Sequence, residues 1–478
     1  MNLVLICTDQ QRRDGVGCYG NPAVETPCLD RLAEGGLRFD RAYVANPICM
    51  PSRMSLFTGC YPRNHGVWTN GLFGGPQLPM LSQTLSDAGF ATASIGKLHF
   101  MPYGGGDRGW ESAERWSLLS RETEWNGPYG GFGHVELSIG HTQALAHYGA
   151  WFHARGGTDS MLVRNADESR PIPEELHDST WVGERSAAFI KQTDRSRPFF
   201  LFASFPDPHH PFDPPESLAA KYRARTVPES IGTGADLAGR PAHYREHFRG
   251  GWHRRASVPE AHPNGPSPET VATRRAHTYA MVELIDRGVG VILDAIDACG
   301  IADETLVVFM SDHGELLGDH GLWYKGPFFY EGLVSVPLIV RGPGAATGAS
   351  SALFSSVDLM PTVLELLGQR VPSTVDGRSF AAHVRDPSTP TRESCLIEYR
   401  NGFGDADRAS MALITDRYKY VRYETGEREL TDLVGDPQEL VNIVNESAHA
   451  ETRAYLESEM LTTLLATGAR WPEQIAHA

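Results

Sequence analysis

The stretch Asn2-Leu3-Val4-Leu5-Ile6-Cys7-Thr8-Asp9-Gln10 carries an unbroken apolar run, Leu3–Cys7, that stops at a polar trio containing an acid. A short apolar run without alternation reads as a strand buried on both faces. Runs of the same kind recur at Phe199–Phe205, Thr305–Met310 and Val336–Val340. Helix-like stretches lie between them: Pro27–Glu34, with Thr26 as its cap and Pro27 in the first turn, then Leu81–Ala88, Thr180–Lys191, Thr270–Ala298 and Pro361–Leu367. Strands alternating with helices predict an α/β fold, a large mostly parallel or mixed sheet flanked by helices.

Residues 100–175, rich in Gly, His and aromatics, and residues 206–268, rich in Pro, Arg and His, break that rhythm. They read as insertions that form the substrate pocket. From about residue 385 the pattern changes. Cys395–Tyr399, Met411–Thr415 and Tyr418–Tyr423 read as short strands, the last two joined by an Asp416-Arg417 turn, and a helix follows over Ala448–Leu465. The expected division is a catalytic domain over 1–384 and a smaller C-terminal α+β domain with a short antiparallel sheet over 385–478. Hydrophobic residues at 41% and charged residues at 21% are ordinary for a soluble globular chain.

A net charge of −16 argues against nucleic acid or an anionic membrane as partner. An anionic substrate would need a local patch of cations. The seven cysteines contain no CxxC pair, so neither a disulfide framework nor a zinc knuckle is indicated. No run approaches a membrane span, and the start lacks the basic segment and long apolar stretch of a signal peptide, so the expectation is a reduced, cytoplasmic protein.

In open α/β sheets ligands gather beyond the carboxyl ends of strands. The first strand ends in Thr8-Asp9-Gln10 and a later one in Ser311-Asp312-His313-Gly314. Asp9, Gln10 and Asp312 offer oxygen, which suits calcium or magnesium, and His313 adds a nitrogen that brings manganese into play. The plainer reading is that each Asp caps the next helix.

Cys49-Met50-Pro51-Ser52-Arg53 matches the C-x-P-S-R signature of the sulfatase family, whose cysteine a separate enzyme oxidises to formylglycine, reading the Pro51 and Arg53 positions. Further stretches resemble that family in order: Asp30–Phe39; Gly96-Lys97-Leu98-His99 (G-K-x-H); Pro208-His209-His210-Pro211-Phe212 (P-H-x-P-F); Ser311–Gly314; Gly321-Leu322-Trp323-Tyr324-Lys325 (G-L-W-x-K); and Glu429–Leu433 with Asp436, Pro437 and Glu439. The resemblance spans residues 2–445 and implies an alkaline-phosphatase-like fold, one divalent metal and a sulfuric ester hydrolase. By resemblance the metal ligands are Asp9, Gln10, formylglycine 49, Asp312 and His313, with calcium first and manganese or magnesium as alternatives. One hydroxyl of the hydrated aldehyde would attack sulfur, and the other would lose its proton to His99 and expel sulfate. Arg53 and Lys97 would hold the diol, Lys325, Lys97 and His209 the sulfate, with Asn70 nearby and His209 as the acid for the leaving alcohol. The implied partners are a small anionic ester, a formylglycine-generating enzyme and a second copy of the chain in a homo-oligomer.

The chemistry stands without the family name. Charge builds on the departing oxygen of a sulfate ester, and a metal with fixed cations stabilises it. Arg53 falls four residues after Cys49, on the same side of a helical turn, and a helix start adds positive potential there. Taken singly, Cys49 reads as a small buried hydrophobe, Lys97 as a surface lysine and His99 as a hydrogen-bonded loop residue. His65, His210 and His320 read as supporting or structural. Gln10 and His313 stand where many family members carry Asp and Asn, which keeps phosphonate monoester or phosphodiester hydrolysis open as the main activity. A catalytically inactive relative that only binds anions would lack a chemical residue, and none is missing. A zinc phosphatase would use Ser or Thr and more histidines. Trp110, Trp116, Trp125, Tyr129, Phe132, Trp151 and Phe152 either line the leaving-group pocket or hold down a long loop.

Overall fold

A computed structural model describes all residues except 73–77, 108, 119–123, 142, 163–171, 249–265, 402–407 and 469–478. The tail around Trp471, read as amphipathic in the sequence, lies outside the described residues.

The main sheet takes its strands in chain order from β1 (Asn2–Thr8), β2 (Leu37–Tyr43), β3 (Ala91–Gly96), β4 (His134–Leu137), β5 (Phe199–Phe205), β6 (Thr305–Ser311), β7 (Ser335–Arg341) and β8 (Gly348–Ser355). In space the order is β4-β3-β5-β1-β6-β7-β2-β8. Only β7 runs against the others, pairing antiparallel with β6 and β2. The run Leu3–Cys7 is continuous because both faces of β1 are covered. Leu3, Leu5 and Cys7 enter one core cluster, and Val4 and Ile6 enter the other.

The carboxyl ends of all strands but β7 meet at one edge. Because β7 runs backwards, the connection from β6 to β7 leaves that edge and returns to it. This places Asp9, Lys97, Asp312 and Lys325 together although they lie far apart in sequence.

The strands missed in the sequence lack an apolar run. β3 reads Ala-Thr-Ala-Ser-Ile-Gly and is buried by its neighbours rather than by its own bulk. The helix Pro27–Glu34 forms as expected, but Thr26 does not cap it. Its hydroxyl accepts from the Gly17 amide at 2.8 Å, and the free amides of Cys28 and Leu29 donate instead to the carboxylate of Asp286, at 3.1 and 2.8 Å. Asp286 lies on the long helix Pro268–Ala298, so the cap is tertiary and invisible to local sequence.

The second sheet is antiparallel, β12-β11-β10-β9, built from β9 (Cys395–Asn401), β10 (Arg408–Ile414), β11 (Tyr418–Tyr423) and β12 (Arg428–Asp432). Leu396, Leu413, Tyr420 and Leu430 pack with Leu456 and Met460 of the helix Ala450–Ala466, while Ile397, Tyr399, Ala412, Ile414, Val421 and Tyr423 join the large core of the main sheet. The Glu398 amide donates to the Ala45 carbonyl at 2.8 Å, which ties this sheet to the segment leading into Cys49. No helix among the described residues is long and apolar enough to cross a membrane.

Candidate active site

Cys49 begins a helix, Cys49–Thr58, that is buried along its whole length. Its start faces the ends of β1 and β6. The Met50 amide, one of the unsatisfied donors of that first turn, is met by Asn70 Oδ1 at 3.0 Å. Asn70, expected to touch substrate, is thus committed in part to holding the helix start, and it also lines the cavity described below.

Around Cys49 four candidate ligand groups converge. Asp9, Cys49, Asp312 and His313 each offer one ligand atom within 4.8 Å of the others, and all four residues are buried. His313 Nε2 lies 3.1 Å from Cys49 Sγ, 3.6 Å from Asp9 Oδ1 and 3.7 Å from Asp312 Oδ1. Its Nδ1 donates to the Gly314 carbonyl at 2.8 Å, a bond that turns Nε2 toward the cluster as a ligand nitrogen. Two carboxylates, an imidazole nitrogen and the side chain at 49 at these spacings fit a divalent cation.

Cations surround this group. Arg53 Nε bonds Asp312 Oδ2 at 2.7 Å, and its Nη1 bonds the Lys97 carbonyl at 2.7 Å and Ser204 Oγ at 2.9 Å. Lys97 Nζ pairs with Asp9 Oδ2. Lys325 Nζ lies 2.7 Å from Cys49 Sγ, 2.9 Å from Gln10 Oε1 and 3.1 Å from His313 Nε2. Burial alone would raise the Asp9 carboxyl, but Lys97, Lys325 and Arg53 hold it well below the usual carboxylate range. The thiol at 49 behaves alike: burial and Asp9 would raise it, yet Lys325, His313 and Lys97 draw it well below its ordinary value. The field at position 49 therefore favours an anion.

Gly96 makes the position of Lys97 possible. Its φ of +108° belongs to glycine, and a Cβ there would lie 1.8 Å from the Ser204 carbonyl oxygen.

Gln10 sits beside the cluster with its Oε1 on Lys325, and its Nε2 donates to Glu315 and approaches His210 Nδ1 at 3.3 Å. His99, with φ +58°, reaches the Cys49 side chain, and burial lowers its pKa. His209 donates from Nδ1 to the His210 carbonyl at 2.6 Å. Burial, with His141 and His210 next, puts the His209 pKa well below its ordinary value.

Two site residues were missed and one was underrated. His141 stacks on His209 with centroids 3.9 Å apart and lies 3.3 Å from Lys97 Nζ. The signal was the segment Ser138–His141 directly after the short run of β4. Glu315 is buried against Gln10 and the Tyr324 amide, and nothing in the sequence sets it apart. His210 lines the cavity, where only a supporting role was expected. His65 and His320 are structural, bonded to Ser55 and to Asp236.

The cavity above Cys49 measures about 560 Å³. Ile48, Met101, Pro102, Tyr103, Ile139 and Pro211 give it an apolar wall around His99, His209, His210 and the lysines. None of the seven aromatics proposed for it lines it among the described residues. Trp110 stacks on Trp125 at 3.6 Å, Phe132 packs on Phe57 and Phe202 in the core, and Phe152 packs on Tyr148. They hold the loop down. The 100–175 segment does supply a wall through Met101–Gly104, Glu111, Ser138–His141 and Gln143, whereas 206–268 contributes His209, His210 and Pro211.

A family model described as Sulfatase matches residues 1–369, three quarters of the chain. The chain belongs to the sulfatase family. A second model, for the C-terminal part of N-sulphoglucosamine sulphohydrolase, matches residues 318–465. An arylsulfatase of Clostridium perfringens is 30% identical over 97% of this chain and 94% of its own length. The multifunctional alkaline phosphatase superfamily protein PehA of Trinickia caryophylli is also 30% identical, over 94% and 92%. Among solved structures, the phosphonate monoester hydrolase of Agrobacterium radiobacter superposes with a TM-score of 0.79 at 23% identity, covering 98% of this chain and 96% of its own. This sulfatase is thus a sulfuric ester hydrolase on the alkaline-phosphatase-like fold.

Proposed function

We propose that this sulfatase cleaves a small sulfate monoester through a nucleophile made from Cys49, and that the convergence of Lys325, Lys97 and Arg53 on the buried Asp9–Cys49–Asp312–His313 group carries this reading. Asp9, Asp312 and His313, with Gln10 beside them, would hold calcium, or else manganese or magnesium. When bound, the cation supplies Lewis-acid charge and formylglycine at 49 supplies the attacking oxygen.

The chain's own groups do the rest. Arg53 fixes Asp312 and the Lys97 carbonyl, so two strand tips keep their spacing. Lys325 Nζ, already 2.7 Å from the side chain at 49, is placed to receive sulfate oxygens, with Lys97 on the other side. His99 takes the proton of the second hydroxyl at its ring nitrogen near position 49. His209, with Nδ1 committed to a carbonyl, offers Nε2 to the leaving oxygen. Burial and the neighbouring His141 and His210 lower its pKa, and the negative charge of an entering ester would act in the opposite direction. The helix Cys49–Thr58 is buried throughout, so a formylglycine-generating enzyme would act before the chain closes over it.

The apolar cavity wall favours an aryl or alkyl leaving group over a highly charged sugar, in keeping with the name of the Clostridium relative. Neutral Gln10 and the multifunctional relative support phosphonate monoester or phosphodiester hydrolysis as the second reading. Mass spectrometry of the peptide containing Cys49, from protein made beside the maturing enzyme, should show the aldehyde. Unmodified thiol together with full activity in Cys49→Ser removes the mechanism. Turnover of nitrophenyl sulfate should exceed that of a phosphonate monoester and a phosphodiester, and the reverse order favours the second reading.

A further inference from the structure

A second cluster of ligand-type side chains lies outside the catalytic one. His177, Asp178 and Asp207 each offer one atom within 4.8 Å of the others, and all three are buried. His177 and Asp178 open the helix Asp178–Gln192, and Asp207 follows the end of β5.

The contacts leave more carboxylate oxygens than there are donors to meet them. His177 Nδ1 lies 3.3 Å from the Ser179 amide nitrogen. It also faces Asp178 Oδ1 at 3.0 Å and Asp207 Oδ2 at 3.5 Å. The Ser179 hydroxyl donates to Asp207 Oδ2 at 2.6 Å. Asp178 Oδ2, Asp207 Oδ1 and His177 Nε2 have no hydrogen-bond partner although each is buried. Among the described residues the only ion-pair partner of Asp178 and Asp207 is His177 itself. Asp213 is close enough to add a third negative field at that imidazole.

Buried charge that is neither paired nor coordinated is costly. A proton on His177 Nδ1, which the neighbouring carboxylates favour, would answer Asp178 Oδ1 at 3.0 Å and would leave Asp178 Oδ2 and Asp207 Oδ1 as they are. A cation, taking the Nδ1 lone pair in place of the Ser179 amide, would meet both carboxylates at once. Donors spaced within 4.8 Å match an ion held at about 2.0–2.6 Å from each. One nitrogen and two carboxylates, with no soft ligand, suit manganese or zinc better than calcium or copper(I).

We propose that His177, Asp178 and Asp207 form a second, structural divalent-cation site behind the catalytic one. The Asp207 carbonyl accepts from the Asp9 amide at 3.1 Å, and the chain then runs through Pro208 to His209. An ion at this place therefore clamps the loop that positions both a catalytic carboxylate and the candidate acid. Because the three side chains are buried, the ion enters during folding and exchanges slowly.

Full-length protein expressed in manganese-supplemented medium and dialysed against EDTA at room temperature should retain one equivalent of manganese by elemental analysis. Asp9→Asn/Asp312→Asn protein, whose catalytic site is disabled, should retain it too, while Asp178→Asn and Asp207→Asn protein should not. Loss of all metal from the wild type, or an unchanged content in Asp178→Asn, overturns the proposal. Should the variants fail to fold, anomalous diffraction from wild-type crystals at the manganese edge decides. A peak among His177 Nδ1, Asp178 and Asp207 is expected, and its absence there overturns the site whatever is found at Asp9 and Asp312. Absence would leave the sulfatase reading intact.

Discussion

Replacing Gly96 by Ala tests whether sheet geometry sets the cations of the candidate site. Gly96 closes β3 with φ +108°, and a Cβ built there would stand 1.8 Å from the Ser204 carbonyl oxygen, a backbone atom of the paired strand that cannot swing aside. Ordinary contact would require the two strand tips to part by roughly 1.5 Å. An L-residue in this backbone region costs about 1–3 kcal/mol, and forcing a methyl into filled space costs about 1–3 kcal/mol more. The expected loss is about 2–6 kcal/mol of folding stability. The displaced groups include Lys97, which pairs with Asp9, and Ser204, which bonds Arg53 at 2.9 Å. A shift of about 1 Å at such groups typically lowers turnover about 100-fold. Urea denaturation and nitrophenyl sulfate turnover on fully matured protein measure both effects. Wild-type midpoint and rate in Gly96→Ala would refute the claim that the contact between β3 and β5 aligns the site.

Lys325→Met removes the donor 2.7 Å from the side chain at 49 and should lower kcat/KM for nitrophenyl sulfate about 100- to 1000-fold; a loss under threefold would show that Lys325 is not aimed at the reacting group. Asn70→Ala should cost about 1 kcal/mol in denaturant stability by freeing the Met50 amide, with no change in metal content. Burial raises the Glu111 carboxyl to about 7, although Tyr129 and the amides of Phe100 and Met101 bond it. The folded state then binds this proton more tightly than the unfolded one, so its stabilising effect is present at low pH and is lost as pH rises from about 4.5 toward 7. Denaturation midpoints at pH 5 and pH 8 should therefore differ less in Glu111→Gln than in the wild type, by up to about 3 kcal/mol, and equal differences would contradict the assignment.

What the sequence revealed follows from where its signals are local. β1, β5, β6 and β7 were legible because strands covered on both faces must be apolar at every position. β3 was not, since close packing of β5 and β4 against it calls for Ala, Ser and Gly rather than bulk. Asp9, Cys49, Arg53, Lys97 and Asp312 were legible because each lies in a compact motif at a strand end or in the first turns of a helix, and Lys325 because its loop carries a compact motif of its own. His141 was not: it contributes through the stack on His209 and its approach to Lys97, both made across the sheet edge. The aromatic cluster misled for a related reason. Composition shows that Trp110 and Trp125 are near each other in sequence, but only the fold shows that they spend their faces on one another.

The division of labour between sheet and loops explains how one family accommodates different esters. Asp9, Lys97 and Asp312 directly follow the ends of β1, β3 and β6, and Cys49 begins a helix whose flanking segment is tied to β9 by the Ala45–Glu398 bond. Each is fixed by backbone pairing, so the charge pattern at the reacting atoms changes only if the sheet changes. Much of the apolar wall comes from Met101, Pro102 and Tyr103, in a loop segment outside the sheet that can alter without moving Lys97 or Asp9. The overall −16 charge is then no obstacle to an anionic substrate. Surface carboxylates are screened within about 8 Å in physiological salt, whereas Lys97 and Lys325 face the cavity from nearly water-free positions and Arg53 is buried behind them.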